Sequence, residues 1–307
     1  MAGKVLVIGS VTADINIYVD HIPEKEEDVN VERQTVTAGG CAYNAASILH
    51  LSGVPYTLFA SVGKGIYGDL ILNLCRKSGI MPVLRSEKEH GCCYCLIAED
   101  GSRTFLANHG CEYLFEQEVL DTLNMEEYEM IYVCGLEIEE KTGERLISFL
   151  EKQKNKKIVY APGARIRHIQ RERNLAVMRL AGMVHMNRKE MNQFLASEKI
   201  TYGSEREAAD PMRKYTSGDL VITDGSRAVM IYEKDKLSRA DVVPVSQVNS
   251  TGAGDSHVGM VMAALMMEYP LDQAVKAANL VCAASVMKDG MLTLEEFTEI
   301  MKQISRR

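Results

Sequence analysis

The chain has 307 residues, 46% apolar and 25% charged, a balance that describes a globular protein with enough apolar content for a sizeable core. Its 35 Lys and Arg against 42 Asp and Glu leave a net charge of −7, which argues against a general nucleic-acid binder, because that work needs a basic face to neutralise backbone phosphates. No apolar run approaches a membrane span, and the N-terminus enters a strand-like run at Lys4 with no basic leader and cleavage site; the expectation is a cytoplasmic protein acting on small molecules, with no nucleic-acid and no membrane partner.

Lys4–Ser10 reads as a buried strand and Asp14–Tyr18 as a half-exposed one, with Ile15 and Ile17 alternating against Asp14 and Asn16. Gly39 and Gly40 precede an alanine-rich helix candidate, Ala42–Leu51, and Tyr56–Ser61 follows as a strand. Gly91–Ile97 and Arg103–Leu106 flank Asp100-Gly101, a hairpin dipeptide, and with Val29–Val36 they predict a small accessory sheet. Beyond Met130 the alternation is clearer. Met130–Cys134, Ile158–Tyr160, Met183–Met186 and Leu220–Thr223 are short apolar strands mostly separated by helix-length segments, the pattern of a mainly parallel sheet. Val258–Met267, Asp272–Met287 and Leu294–Ile304 have helical composition or spacing.

The eight cysteines predict free thiols. Cys92, Cys93 and Cys95 form the one tight cluster, and no second Cys/His pair at zinc-finger spacing completes four ligands, so strand packing is the expectation.

The chemistry concentrates in Asn249–Asp255, N-S-T-G-A-G-D, ahead of the helical run. Gly252, Ala253 and Gly254 at a helix start would present unpaired N–H groups to phosphate oxygens, and Asp255 in the first turn could take a proton from an attacking hydroxyl. Alone, the segment is equally an ordinary capped helix with a first-turn acid. Gly63-Lys64-Gly65-Ile66-Tyr67-Gly68 matches a dinucleotide fingerprint, but it follows a completed strand–helix unit and lacks a ribose-binding acid in context; Gly65 after Lys64 also rules out a Walker loop.

Other candidates are weaker singly. Gly39, Gly40 and Asn44 at a helix start suit a polar ligand or a tight turn, and Asp14 can chelate two hydroxyls or cap a loop. Asn187 and Glu190, three apart after a strand, suit Mg²⁺-bound water and phosphate, or a helix cap. Thr223 and Gly225 mark a strand end and a turn, and Asn279, by itself, a surface amide.

In order, from about Lys4 to Gly290, these pieces resemble the ribokinase-like carbohydrate kinases, the PfkB family. Ala38-Gly39-Gly40-x-x-x-Asn44 is similar to its first signature and Asn249–Asp255 to its second, D-T-x-G-A-G-D. The resemblance implies an α/β fold in three layers, a mainly parallel central sheet flanked by helices, with a small β lid. The large unit would comprise 1–12, 37–89 and 109–307, and the lid 13–36 and 90–108, which in several relatives forms a homodimer interface.

It further implies Asp255 as the base, with Gly252, Ala253 and Gly254 holding the transferring phosphate, and Asp14, Asn16, Gly39, Gly40, Asn44 and Asp255 around the acceptor. Asn187, Thr223, Gly225, Gly252, Gly254 and Asn279 would surround ATP, and Glu190 with Asn187 would hold Mg²⁺ through water. Three departures stand out. Asn249 replaces an acid, which leaves monovalent-cation activation open; His257 stands where an aromatic is usual, as a pocket group or a packing histidine; and Gly65 replaces a frequent acid.

Cys41 stands where ribokinase-like chains often carry Lys, and no basic cluster accompanies the first signature, so the expected acceptor is a non-phosphorylated sugar or nucleoside: ribose, a hexose, or a nucleoside such as pseudouridine. Tyr18, Tyr43, Cys93, Cys95 and His109 are candidate wall residues. The alternative reading is a non-catalytic sugar or nucleoside sensor on a kinase scaffold.

Overall fold

The structure, a computed structural model, describes residues 3–288 and 290–305. Its strands are β1 Lys4–Ile8, β2 Thr12–Val19, β3 Arg33–Gly39, β4 Tyr56–Lys64, β5 Pro82–Glu89, β6 Cys92–Ala98, β7 Arg103–Asn108, β8 Tyr128–Cys134, β9 Lys157–Ala161, β10 Met183–Asn187, β11 Asp219–Asp224, β12 Arg227–Glu233 and β13 Lys236–Ala240. The helices are α1 Cys41–Ser52, α2 Gly65–Ser78, α3 Gln117–Leu120, α4 Gly135–Glu139, α5 Gly143–Glu151, α6 Arg171–Leu180, α7 Arg188–Ser197, α8 Glu205–Met212, α9 Ala253–Met266, α10 Leu271–Val286 and α11 Leu294–Ser305.

The large sheet runs β13-β12-β11-β10-β9-β8-β1-β4-β5 and is parallel from β11 to β5. A strand residue's neighbours face opposite sides, and β1 shows the consequence. Val5 and Val7 enter a core with α1, α2, α9, α10 and α11, whereas Leu6 and Ile8 enter a second core with α3 to α8. Helix, sheet and helix are the three layers expected. Among the described residues no helix is long and apolar enough to cross a membrane.

The small sheet, β3-β2-β6-β7, is the accessory sheet that the hairpin dipeptide announced, with Gly101 at φ 81 in its turn. Its base is fastened by Glu112, whose buried carboxylate accepts the N–H groups of Gly91 and Gly110, each at 2.9 Å, where the β6–β7 hairpin leaves and rejoins the body.

The strand expected over Val29–Val36 is β3 instead, beginning at Arg33 where pairing with Tyr18 starts. β5 is an edge strand whose exposed, charged second half reads as a polar loop, and the antiparallel β12–β13 extension was not anticipated either. Gly63 and Gly68 of the fingerprint look-alike serve packing. A Cβ at Gly63 would lie 2.4 Å from the Lys88 carbonyl oxygen, and one at Gly68 2.0 Å from that of Gly63.

Candidate active site

Gly252 caps α9 in the left-handed region at φ 74, a conformation that glycine adopts without the Cβ penalty. Ala253 N–H bonds the Ser250 carbonyl at 3.2 Å, so the expectation that all three turn amides stand open fails at Ala253: the chain's own turn consumes it. The N–H groups of Gly254 and Asp255 have no partner among the described residues. A Cβ on Gly254 would meet nothing within 4 Å, so packing does not demand this glycine, and the free space beside it belongs to a cavity.

Two cavities lie on either side of this turn. One, of about 430 Å³, is lined by Asn187, Glu190, Thr223, Gly225, Gly254, Asp255 and Asn279, with Val242, Val243 and Val286 giving it an apolar flank. The other, of about 600 Å³, lies against the small sheet and is lined by Asp14, Asn16, Gly39, Asn44, Asn249, Thr251 and Gly252. Most residues expected around the two substrates therefore separate into two spaces that share the start of α9, with two exchanges: Gly252, expected beside ATP, lines the cavity against the small sheet, and Asp255, expected among the acceptor contacts, lines the other.

On the acceptor side, Asp14, Asn16 and Tyr18 line one face of β2, opposite Thr37, Thr35 and Arg33 of β3. Asp14 accepts from the Thr12 hydroxyl at 2.7 Å, and burial pushes its carboxyl up to about 6, with the Asp255 charge adding to the rise. A Cβ on Gly39 would overlap the Asp14 carboxylate. Gly40 lines neither cavity; at φ 97 and pressed against the Ser10 carbonyl, it starts α1.

Asn44, one turn into α1, donates from Nδ2 to Asp255 Oδ2 at 3.0 Å. Burial raises the Asp255 carboxyl, and hydrogen bonds from Asn44 and the Cys41 thiol oppose the rise. Tyr18 and Tyr43 line the cavity. Cys93 and Cys95 pair with Asp14 and Asn16 without lining it, and His109 hydrogen-bonds Glu140 at 2.5 Å.

On the other side, parallel pairing sets Asn187 beside Thr223 at the carboxyl edge of the sheet, the usual ligand edge of an open α/β sheet. Asn187 and Glu190 form a capping box: Glu190 N–H donates to Asn187 Oδ1 at 2.9 Å and Asn187 N–H to Glu190 Oε2 at 3.0 Å. Asn187 Nδ2 also donates to Glu190 Oε1 at 2.7 Å. Burial pushes the Glu190 carboxyl up to about 7, and the charge of Asp255 contributes. Glu190 and Asp255, two carboxylates on the wall of one cavity beside a polar strand edge, are hard oxygen donors that fit a hydrated Mg²⁺.

Asn279 is not a surface amide. It is buried, its Oδ1 accepts from His257 Nε2 at 3.0 Å, and its Nδ2 donates to the Asp241 carbonyl at 2.8 Å. These two bonds fix the direction of the chain: His257 Nδ1 must then accept from His185 Nε2, at 2.8 Å. Burial holds both imidazoles neutral, His257 down at about 4 and His185 well below its usual value. His257 thus lines a cavity and is also fully hydrogen-bonded.

Three features escaped the sequence reading. Glu137, buried in α4, has its carboxyl pushed up to about 8 by burial, with the Asp255 charge adding to the rise. Arg103 of β7 donates to Asn249 and Thr251. Cations do line the cavity against the small sheet, because Arg33, Lys77 and Lys288 arrive from three distant segments. Glu137 sits in an acidic run that looks like a solvated face, and Arg103 carries no local motif; only tertiary placement distinguishes them.

Two cavities flank the start of α9, one walled by a carboxylate and two open amides, the other by the Asn44 that hydrogen-bonds that carboxylate, and this is the layout of a phosphotransferase with an alcohol group as acceptor. The chain matches the pfkB family of carbohydrate kinases over residues 2–296 and belongs to that family. It is 26% identical over 282 residues to the uncharacterised sugar kinase YegV of Escherichia coli (strain K12), covering 91% of this chain and 87% of that one. A ribokinase from Arabidopsis thaliana complexed with ribose and ATP superposes with a TM-score of 0.81 at 16% identity, over 98% of this chain and 99% of its own. A Burkholderia thailandensis nucleoside kinase in complex with inosine gives 0.80 at 17% identity, over 99% and 96%.

Proposed function

We propose that the protein transfers the γ-phosphoryl group of ATP to a hydroxymethyl group of a non-phosphorylated sugar or nucleoside, with Asp255 as general base. The observation that carries this reading is the position of Asp255, on the wall of the nucleotide-side cavity and hydrogen-bonded to Asn44 of the acceptor-side cavity. The apolar flank of Val242, Val243 and Val286 suits a purine, and the strand-edge polar groups suit its phosphates. Relatives that bind ribose with ATP, or inosine, are consistent with both halves.

In this mechanism Asp14 and Asn16 hold acceptor hydroxyls, Asn44 aims the Asp255 carboxylate, and Asp255 takes the proton of the attacking alcohol. The Gly254 and Asp255 amides receive the charge on the transferring group, so catalysis is mostly positioning and charge stabilisation. Glu190 and Asn187 would hold Mg²⁺ through water, which supplies charge neutralisation of the phosphates when bound. Asn279 supports the wall through His257 instead of offering a free amide.

The acceptor side favours an uncharged ligand near Asp255. Of the three cations that line it, two are engaged elsewhere: Arg33 lies over the Tyr18 ring at 3.8 Å, and Lys288 pairs with Glu296 at 2.8 Å, which leaves Lys77. Asp14 and Tyr18 are four positions apart, roughly 13 Å of strand, a reach that suits a nucleoside better than a free pentose. We also propose the small sheet as a lid and as a homodimer face, since its edge strand β7 exposes Phe105 and Leu106 by more than half. Eight free thiols suit the cytoplasm.

The deciding experiment measures ADP release with ribose, hexoses and nucleosides, pseudouridine and inosine among them, with and without added K⁺. Saturable, acceptor-dependent release supports the kinase. Tight acceptor binding with no turnover would support the sensor instead.

A further inference from the structure

Arg103 begins β7, and cross-strand register places it in one row with Ile97 of β6, Tyr18 of β2 and Arg33 of β3. Direct cross-strand partners share a sheet face, and Tyr18 shares its face with Asn16 and Asp14. Arg103 therefore projects from the face of the small sheet that covers the acceptor cavity.

Its guanidinium leaves that sheet and reaches the loop ahead of α9. Nη1 donates to Thr251 Oγ1 at 2.5 Å and to Asn249 Oδ1, which also accepts the Thr251 N–H at 2.8 Å. The loop is held from behind as well, because Val248 N–H and Asn249 N–H both donate to the Val286 carbonyl, at 2.8 and 3.0 Å.

This loop has two sides. Asn249 and Thr251 line the acceptor-side cavity, whereas Gln247 and Ser250 line the nucleotide-side cavity. The Ser250 carbonyl also accepts the Ala253 N–H and so helps to set the turn whose next amides stand open. One side chain on the lid thus grips the segment that shapes the phosphate-binding turn.

We propose that Arg103 is a positioning residue that couples closure of the small sheet over the acceptor to the shape of the turn at Gly252–Gly254. The proposal rests on the kinase reading for its catalytic consequence, but the mechanical coupling stands apart from it. With the lid down, the guanidinium fixes Asn249 and Thr251 through Nη1, and the amides of Gly254 and Asp255 are held in line. With the lid raised, the loop loses that restraint, so the phosphate site is completed only over a seated acceptor.

The test compares wild type with Arg103→Met and Arg103→Lys in the full-length protein. Hydrogen exchange of the amides of residues 248–255 is measured without ligand; Arg103→Met should speed it about tenfold, the effect of losing one net hydrogen bond, while β1 stays unchanged and Arg103→Lys recovers part of the protection. Unchanged exchange in the loop, or an equal rise throughout the chain, overturns the proposal. With the acceptor from the panel that gives the fastest release, Arg103→Met should lower kcat by about 10- to 100-fold and leave the KM for ATP within a factor of about 3. If wild type releases no ADP with any acceptor in the panel, the kinase reading fails, and the exchange measurement alone still decides the coupling.

Discussion

Asn44 Nδ2 meets Asp255 Oδ2 at 3.0 Å although 211 positions separate the two residues. The contact exists because α1 and α9 pack face to face. A Cβ on Gly259 would stand 2.8 Å from the Ala45 carbonyl oxygen, so that glycine lets the two helix backbones close. Sequence pattern, close helix packing and aim of the carboxylate are therefore one causal chain. Asp255→Asn should retain nucleotide binding, measured by calorimetry, and lose about 10²- to 10⁴-fold in kcat. Turnover near that of wild type would remove Asp255 from the mechanism.

Gly252 and Gly254 are two residues apart, and their substitution should have opposite signatures. Gly252→Ala must hold a side chain at φ 74, with a Cβ 3.0 Å from Asn44 Nδ2, and is expected to cost about 1–2 kcal/mol of stability. Gly254→Ala meets no atom within 4 Å beyond its own turn of α9, so its thermal midpoint should stay near that of wild type while turnover falls, because the added methyl occupies ligand space. Equal loss of stability in the two variants would show that packing, not ligand approach, selects Gly254.

The large sheet was legible because buried strands announce themselves as short apolar runs, and β8 to β11 are such runs. β5 and β13 were not, since edge strands with solvated faces carry little hydrophobic pattern. At the site, Asp255 and Asn44 were readable because glycines flank them in a recognisable order. Glu137 was not: its α4 begins at Gly135, pressed against the Pro162 carbonyl, and that contact lies in no local pattern. Burial likewise turned Asn279 from an apparent surface amide into a bridge between His257 and Asp241.

His257→Phe tests that bridge. Phenylalanine restores an aromatic ring but leaves His185 Nε2 and Asn279 Oδ1 without their partner in a buried setting. Each unsatisfied group costs about 1–3 kcal/mol, so denaturant unfolding should show a clear loss. His257→Gln, able to donate and accept, should lose less. A Phe variant as stable as wild type would mean that water or rearrangement satisfies both groups.

Glu137 makes the ligand-free protein sensitive to pH in a calculable direction. Its carboxyl is wholly buried, Oε1 accepts the Ser10 N–H at 2.9 Å, and burial lifts it from 4.5 to about 8. Between those values the folded state keeps a proton that the unfolded chain releases, so stability falls as pH rises through the window, by up to about 1.4 kcal/mol per pH unit for one such group. Glu190, lifted to about 7, and Asp14, lifted to about 6, act with the same sign over narrower ranges. Thermal unfolding of the ligand-free protein from pH 5 to pH 8 should therefore decline more steeply in wild type than in Glu137→Gln, whose amide oxygen can still accept from Ser10. Parallel profiles for the two proteins would show that Glu137 stays ionised in the folded state, through a partner that satisfies its second oxygen.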